Sequence, residues 1–160
     1  DKIGVNGKPD LGTLVPERRQ ELTTEGGLGV TEHRERLHTM VEFLHDGGIP
    51  VSLFIDPDPN QVKAAHRIHA DFIELHTGKY ANTRRLSERN TEVDNLLQAA
   101  KLASKLGLRV AAGHGLNYQN IQPLKGITEI EEYNIGHSII SRSVFVGLDR
   151  AVREMHDLVR

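Results

Sequence analysis

Five times along this chain a short strand-like run stops at or just before a glycine, a histidine or an acidic residue, and a helical segment follows. The sharpest case is residues 109–115, where Val110, Ala111 and Ala112 halt on Gly113-His114-Gly115. Runs of this kind are too short for helices, and apolar character on both faces is the mark of a buried parallel strand. The others are residues 11–15, 51–55, 72–77 and 132–135. Strand, loop and helix repeating in this order is the rhythm of right-handed βαβ units in one parallel sheet. That rhythm confines the chain to an α/β fold and directs attention to the carboxyl ends of the strands, where such folds bind ligands.

The segments between the runs read as helices. Residues 31–45 place Leu37, Met40, Val41 and Leu44 on one face, with Thr31 as the expected N-cap and Gly47-Gly48 as the stop. Pro59 suits the start of the next helix, carried by residues 61–69, because its missing N–H would be unpaired there. Residues 80–90 are polar and read as an excursion. Residues 91–106 then form a helix with Leu96, Leu97, Ala100, Ala103 and Leu106 inward and Gly107 as its stop. A short helix from Asn117 or Asn120 towards Lys125, a helix from Ser138 onward and a terminal helix capped by Asp149 complete the chain. A length of 160 residues suits one domain, spanning 1–160.

Composition removes several functions. Lys and Arg number 20 against 22 Asp and Glu, and Phe, Tyr and Trp make up 4%, so neither a basic nucleic-acid surface nor an aromatic stacking platform is expected. Cysteine is absent, which excludes disulfides and thiolate metal sites. No apolar run approaches the roughly 20 residues that span a bilayer, so a soluble, cytoplasmic protein with no membrane partner is the expectation. His33, His38 and His45 lack the His-Glu-x-x-His spacing of a helical zinc site, and His66 and His69 lack a third ligand. No metal and no cofactor are expected.

Period-two alternation in residues 72–77 sets Phe72, Glu74 and His76 on the face opposite Ile73 and Leu75. A carboxylate so placed is costly to bury alone, so Glu74 is either paired or employed. Gly136-His137 immediately precedes a helix start, whose free N–H groups and dipole favour a phosphate. The loop after residues 11–15 offers Thr23, Thr24 and flexible glycine donors. Taken singly, His114 is a histidine in a glycine turn and Thr23 belongs to a solvated loop. Taken together with Glu17, Asp56, Glu74, His76 and His137, these residues converge on strand ends, as they do at the catalytic face of a (β/α)8 barrel. Five strands fall short of eight, and such barrels typically need about 250 residues.

Leu14-Val15-Pro16-Glu17, Thr23 to Leu28, Val51 to Asp56, Ile73 to Gly78, Ala112 to Leu116 and Asn134 to His137 occur in the order found in pyridoxine 5′-phosphate synthases, and the chain resembles that family from Leu11 to Arg160. The resemblance implies a (β/α)8 TIM barrel, here about five βα units from its carboxyl-terminal two-thirds, with the amino-terminal strands absent. It implies condensation of 1-deoxy-D-xylulose 5-phosphate with 3-amino-2-oxopropyl phosphate to pyridoxine 5′-phosphate, phosphate and water. By position, His114 would be an acid/base and Glu74 would assist the transition state. Thr23 and Gly115 would bind substrate, and Gly136 and His137 would hold a phosphate. The family also implies a homo-oligomer, an octamer. Two alternatives stay open: a noncatalytic phosphate-binding or assembly piece, and another phosphate-handling barrel enzyme. An aldolase of that last type would need a Schiff-base lysine at a strand end, and Lys79 is the nearest.

Overall fold

The structure, a computed structural model, describes residues 7–16 and 26–160. Glu17, Thr23 and Thr24 lie outside the described residues. Among the described residues, five strands, β1 (Gly12–Leu14), β2 (Val51–Ile55), β3 (Phe72–His76), β4 (Arg109–Gly113) and β5 (Ile130–Asn134), form one sheet in sequential order. Every pairing is parallel. Right-handed crossovers between strands laid down in order, without reversal, put the connecting helices on one face of the sheet, which is barrel winding and not the doubly wound alternative. The architecture is that of five βα units of a TIM barrel.

Among the described residues the helices are α1 (Arg34–Asp46), α2 (Pro59–Arg67), α3 (Gly78–Asn82), α4 (Leu86–Lys105), α5 (His137–Val146) and α6 (Leu148–Val159), with a 3-10 turn at Gln122–Gly126. Leu37 and Val41 of α1, Val62 and Ala65 of α2, and Leu96, Ala100 and Ala103 of α4 are buried against Leu53, Ile55, Ile73, Leu75 and Val110 of the sheet. Asp58 caps α2 through a bond from the Asn60 N–H, and Pro59 occupies its first turn, as expected.

Several boundaries differ from the sequence reading, each for a physical reason. α1 begins at Arg34 with His33 as N-cap. Thr31 cannot serve there because the Gln61 carboxamide accepts the N–H of Val30 at 2.7 Å and of Thr31 at 3.3 Å, fixing that backbone against α2. Residues 80–90 are no excursion: α3 and the first turns of α4 fill them. Tyr80, buried to 1% exposure, anchors the segment by donating its hydroxyl to the Asn120 carbonyl. α6 is capped at Gly147, while Asp149 lies in its first turn and pairs with Arg153. α5 buries none of its residues, and Ile140, Val144 and Phe145 are exposed.

β5 starts two residues before the expected 132–135 strand because it is bulged. Val110 pairs with Ile130 but Ala111 pairs with Glu132, leaving Glu131 as the extra residue, where it pairs with Arg109. The bulge turns Ile130 to the helix-covered core and still leaves Glu132 and Asn134 on the opposite, interior face.

Tyr80 also supports the turn after β4, since Asn120 donates its carboxamide N–H to the Gly115 carbonyl at 3.0 Å. Tyr80→Phe leaves the Asn120 carbonyl without that buried donor, and the expected loss of stability is about 1–3 kcal/mol. Urea unfolding of the two proteins side by side measures it.

Candidate functional site

The parallel register stacks the interior side chains in layers. Phe54, Glu74, Ala111 and Glu132 share one layer, and His76, Gly113 and Asn134 the next towards the carboxyl ends. Beyond them opens a cavity of about 530 Å³ whose lining includes Phe54, Glu74, His114, Asn134, Gly136 and His137.

Glu74 is half-buried on β3, and its carboxylate lies over β4 towards Asn134 of β5. It can do so because Gly113 has no side chain: a Cβ there would stand 2.3 Å from Glu74 Oε1. Burial raises the Glu74 carboxyl above its ordinary value, with Glu132 adding to the rise, while the Asn134 carboxamide and the nearby His76 oppose it.

His114 follows β4 with φ of 87°, a backbone region that side chains with a Cβ seldom occupy. Thr77 holds this turn. Its N–H donates to the Gly113 carbonyl at 2.8 Å, and its hydroxyl lies within bonding distance of the carbonyls of Gly113 and His114, at 2.7 and 2.6 Å. The imidazole of His114 is lowered in pKa, first by burial and then by His76 and His137. A raised carboxyl and a lowered imidazole facing one cavity bring the two proton affinities closer, which suits the passing of protons at neutral pH.

At the other side of the cavity α5 begins. Gly136 is its N-cap, and among the described residues no side chain caps it and a Cβ at this glycine would meet nothing within 4 Å. The first turn is therefore open to the cavity, and Ser138 anchors it by donating to the Leu116 carbonyl at 2.9 Å. An anion placed there meets free N–H groups along the helix dipole.

Of the residues singled out from the sequence, Glu74, His114, Gly115, Gly136 and His137 all line this cavity. Asp56 and His76 stand behind it. Thr23 lies outside the described residues. Lys79 sits exposed on α3, away from the cavity. Asn134, Phe54 and Ser138 belong to the lining and were not singled out as site residues. Asn134 ends a strand, and that position was the signal available for it. His66 and His69 are exposed, and among the described residues no group of three His, Asp or Glu side chains could hold a metal. No described helix is long and apolar enough to cross a membrane.

Residues 2–160 match the family described as pyridoxal phosphate biosynthesis protein PdxJ. A pyridoxine 5′-phosphate synthase of Geotalea uraniireducens is 57% identical over 158 residues, covering 99% of this chain and 66% of the relative. Its counterpart in Syntrophotalea carbinolica is 59% identical over 157 residues, covering 98% of this chain and 66% of the relative. The chain thus spans just under two-thirds of the length of the curated relatives it matches.

Burial of Glu74 has a pH signature. Because its pKa is raised in the folded state, its stabilising contribution is complete below the ordinary value of 4.5 and is lost as pH rises through the folded value. Glu74→Gln keeps the shape without the charge, so its melting temperature should exceed that of the parent at about pH 7, with the gap closing towards about pH 4. Thermal melts across that range check both the sign and the window.

Proposed function

Because this chain belongs to the PdxJ family of pyridoxal phosphate biosynthesis proteins, we propose that it carries the catalytic strand ends of a pyridoxine 5′-phosphate synthase. The reaction proposed is condensation of 1-deoxy-D-xylulose 5-phosphate with 3-amino-2-oxopropyl phosphate, in the complete enzyme. The observation that carries the reading is the meeting of Glu74, His114 and the open start of α5 in one cavity. A phosphate-binding piece without chemistry would need the helix start alone.

In this reading Gly136 and His137 hold a phosphate through the first N–H groups of α5, fixing the substrate's charged end. His114, with its lowered pKa, takes and returns protons on the carbon and oxygen atoms that change during ring closure. Glu74 faces the same cavity and complements charge developing there. Thr23 and Gly115 would contact the deoxyxylulose phosphate. Residues 1–160 would act as one domain of a cytoplasmic homo-oligomer, with sedimentation of the complete protein measuring the assembly.

Two variants of the complete enzyme test the roles. Asn tolerates positive φ better than most residues, so His114→Asn removes the titrating group and preserves the turn. Turnover is expected to fall by about 10² to 10⁴ with KM little changed; normal turnover with a lowered melting temperature would make His114 a turn residue. Gly136→Val places a branched side chain in the open approach to α5, so titration calorimetry should show weaker binding of pyridoxine 5′-phosphate. Equal affinity of the two proteins removes the phosphate from that helix start.

A further inference from the structure

We propose that Asp56 and His76 form a positioning pair for His114, in which the Asp56 carboxylate fixes the His76 ring and that ring in turn backs the His114 imidazole. The proposal rests on the acid/base reading of His114, and neither Asp56 nor His76 lines the cavity.

His76 is only 4% exposed, and its Nδ1 lies 3.0 Å from Asp56 Oδ1. A carboxylate only accepts, so the shared proton belongs to Nδ1. The other ring nitrogen, Nε2, is buried with no hydrogen-bond partner among the described residues. No described group receives a proton from Nε2, which fits the same tautomer. An apolar ring would fill this space without stranding a polar atom, so a buried histidine here calls for a reason beyond packing.

The surroundings supply one. The His76 ring lies 4.9 Å from the His114 ring, centroid to centroid, and 5.1 Å edge-on from Phe54. The close approach depends on Gly78, where a Cβ would stand 2.6 Å from His76 Nε2 and 3.2 Å from His114 Cδ2. Asp56 is held in turn by the Gly27 N–H at 3.2 Å, so one carboxylate ties the chain before α1 to the imidazole behind the site. The titratable groups around His114 are His76 from β3, Glu74 from the same strand and His137 from α5. Asp56 lies beyond His76, with Lys79 acting on Asp56 from α3.

The test uses the complete enzyme and its Asp56→Ala, Asp56→Asn and His76→Phe variants. In Asp56→Asn, Oδ1 still accepts from both His76 and Gly27; Asp56→Ala removes it, and His76→Phe keeps a ring but has no donor. Asp56→Ala and His76→Phe should lower kcat by about 10-fold to 100-fold while KM stays within about threefold, and Asp56→Asn should retain kcat within about threefold. A purely structural role would lower stability and leave kcat per folded molecule unchanged, overturning the proposal. Equal losses in Asp56→Ala and Asp56→Asn would overturn it as well. Nitrogen NMR of the parent's His76 ring needs neither variants nor turnover: a proton on Nδ1 supports the pair, and one on Nε2 refutes it. Should the parent make no product, the synthase reading fails while the NMR result still decides the pair.

Discussion

Neighbouring strands in a sheet lie about 4.8 Å apart, so a side chain on β3 meets one on β5 only by passing over β4. Where Glu74 approaches Asn134, β4 presents Gly113, and a Cβ at that position would fall 2.3 Å from the carboxylate. The missing side chain is what lets an acid lie across the sheet interior, half out of water, with its pKa raised by that burial. The same residue ends β4, and its carbonyl receives the Thr77 N–H that keeps the following turn in place. Acid placement and histidine placement thus share one backbone position.

The electrostatics follow from that geometry. Burial acts on Glu74 and His114 in opposite directions, because it penalises whichever form is charged. Neighbouring histidines then push His114 further down, and Glu132 pushes Glu74 further up. Asp56 moves the other way, lowered chiefly by its bond with His76. The strand ends therefore hold one carboxylate favoured as an anion and one favoured towards its neutral form, within a single sheet edge. A helix start with no capping side chain among the described residues completes the edge with N–H groups that have no partner within the helix.

The loops after the strands add specificity to this frame through bonds that run between distant parts of the chain. Tyr80 reaches the Asn120 carbonyl, Asn120 reaches Gly115, and Ser138 reaches Leu116, so the turn that carries His114 is braced from α3 and from α5. Strain at a positive φ persists where surrounding contacts outweigh it, and these bonds with those of Thr77 are the contacts that do so.

Local pattern was enough for the strands whose side chains alternate cleanly and for the helices with a full apolar face. The alternation of Phe72, Ile73, Glu74, Leu75 and His76 placed Glu74 on the interior face, and the halt at Gly113-His114-Gly115 placed His114 at a strand end, because both depend only on the two-residue repeat and on glycine. The start of β5 was not legible, because a bulge at Glu131 is set by pairing with β4 and breaks that repeat. The first turns of α4 were not legible either, since their residues face solvent and carry no apolar stripe. Sequence determined which residues stand at strand ends; the tertiary structure decided which of them meet. The approach of Glu74 to Asn134 and the pairing of Asp56 with His76 behind His114 arise from register between separate strands, and no local pattern encodes the distance between residues that far apart in the chain.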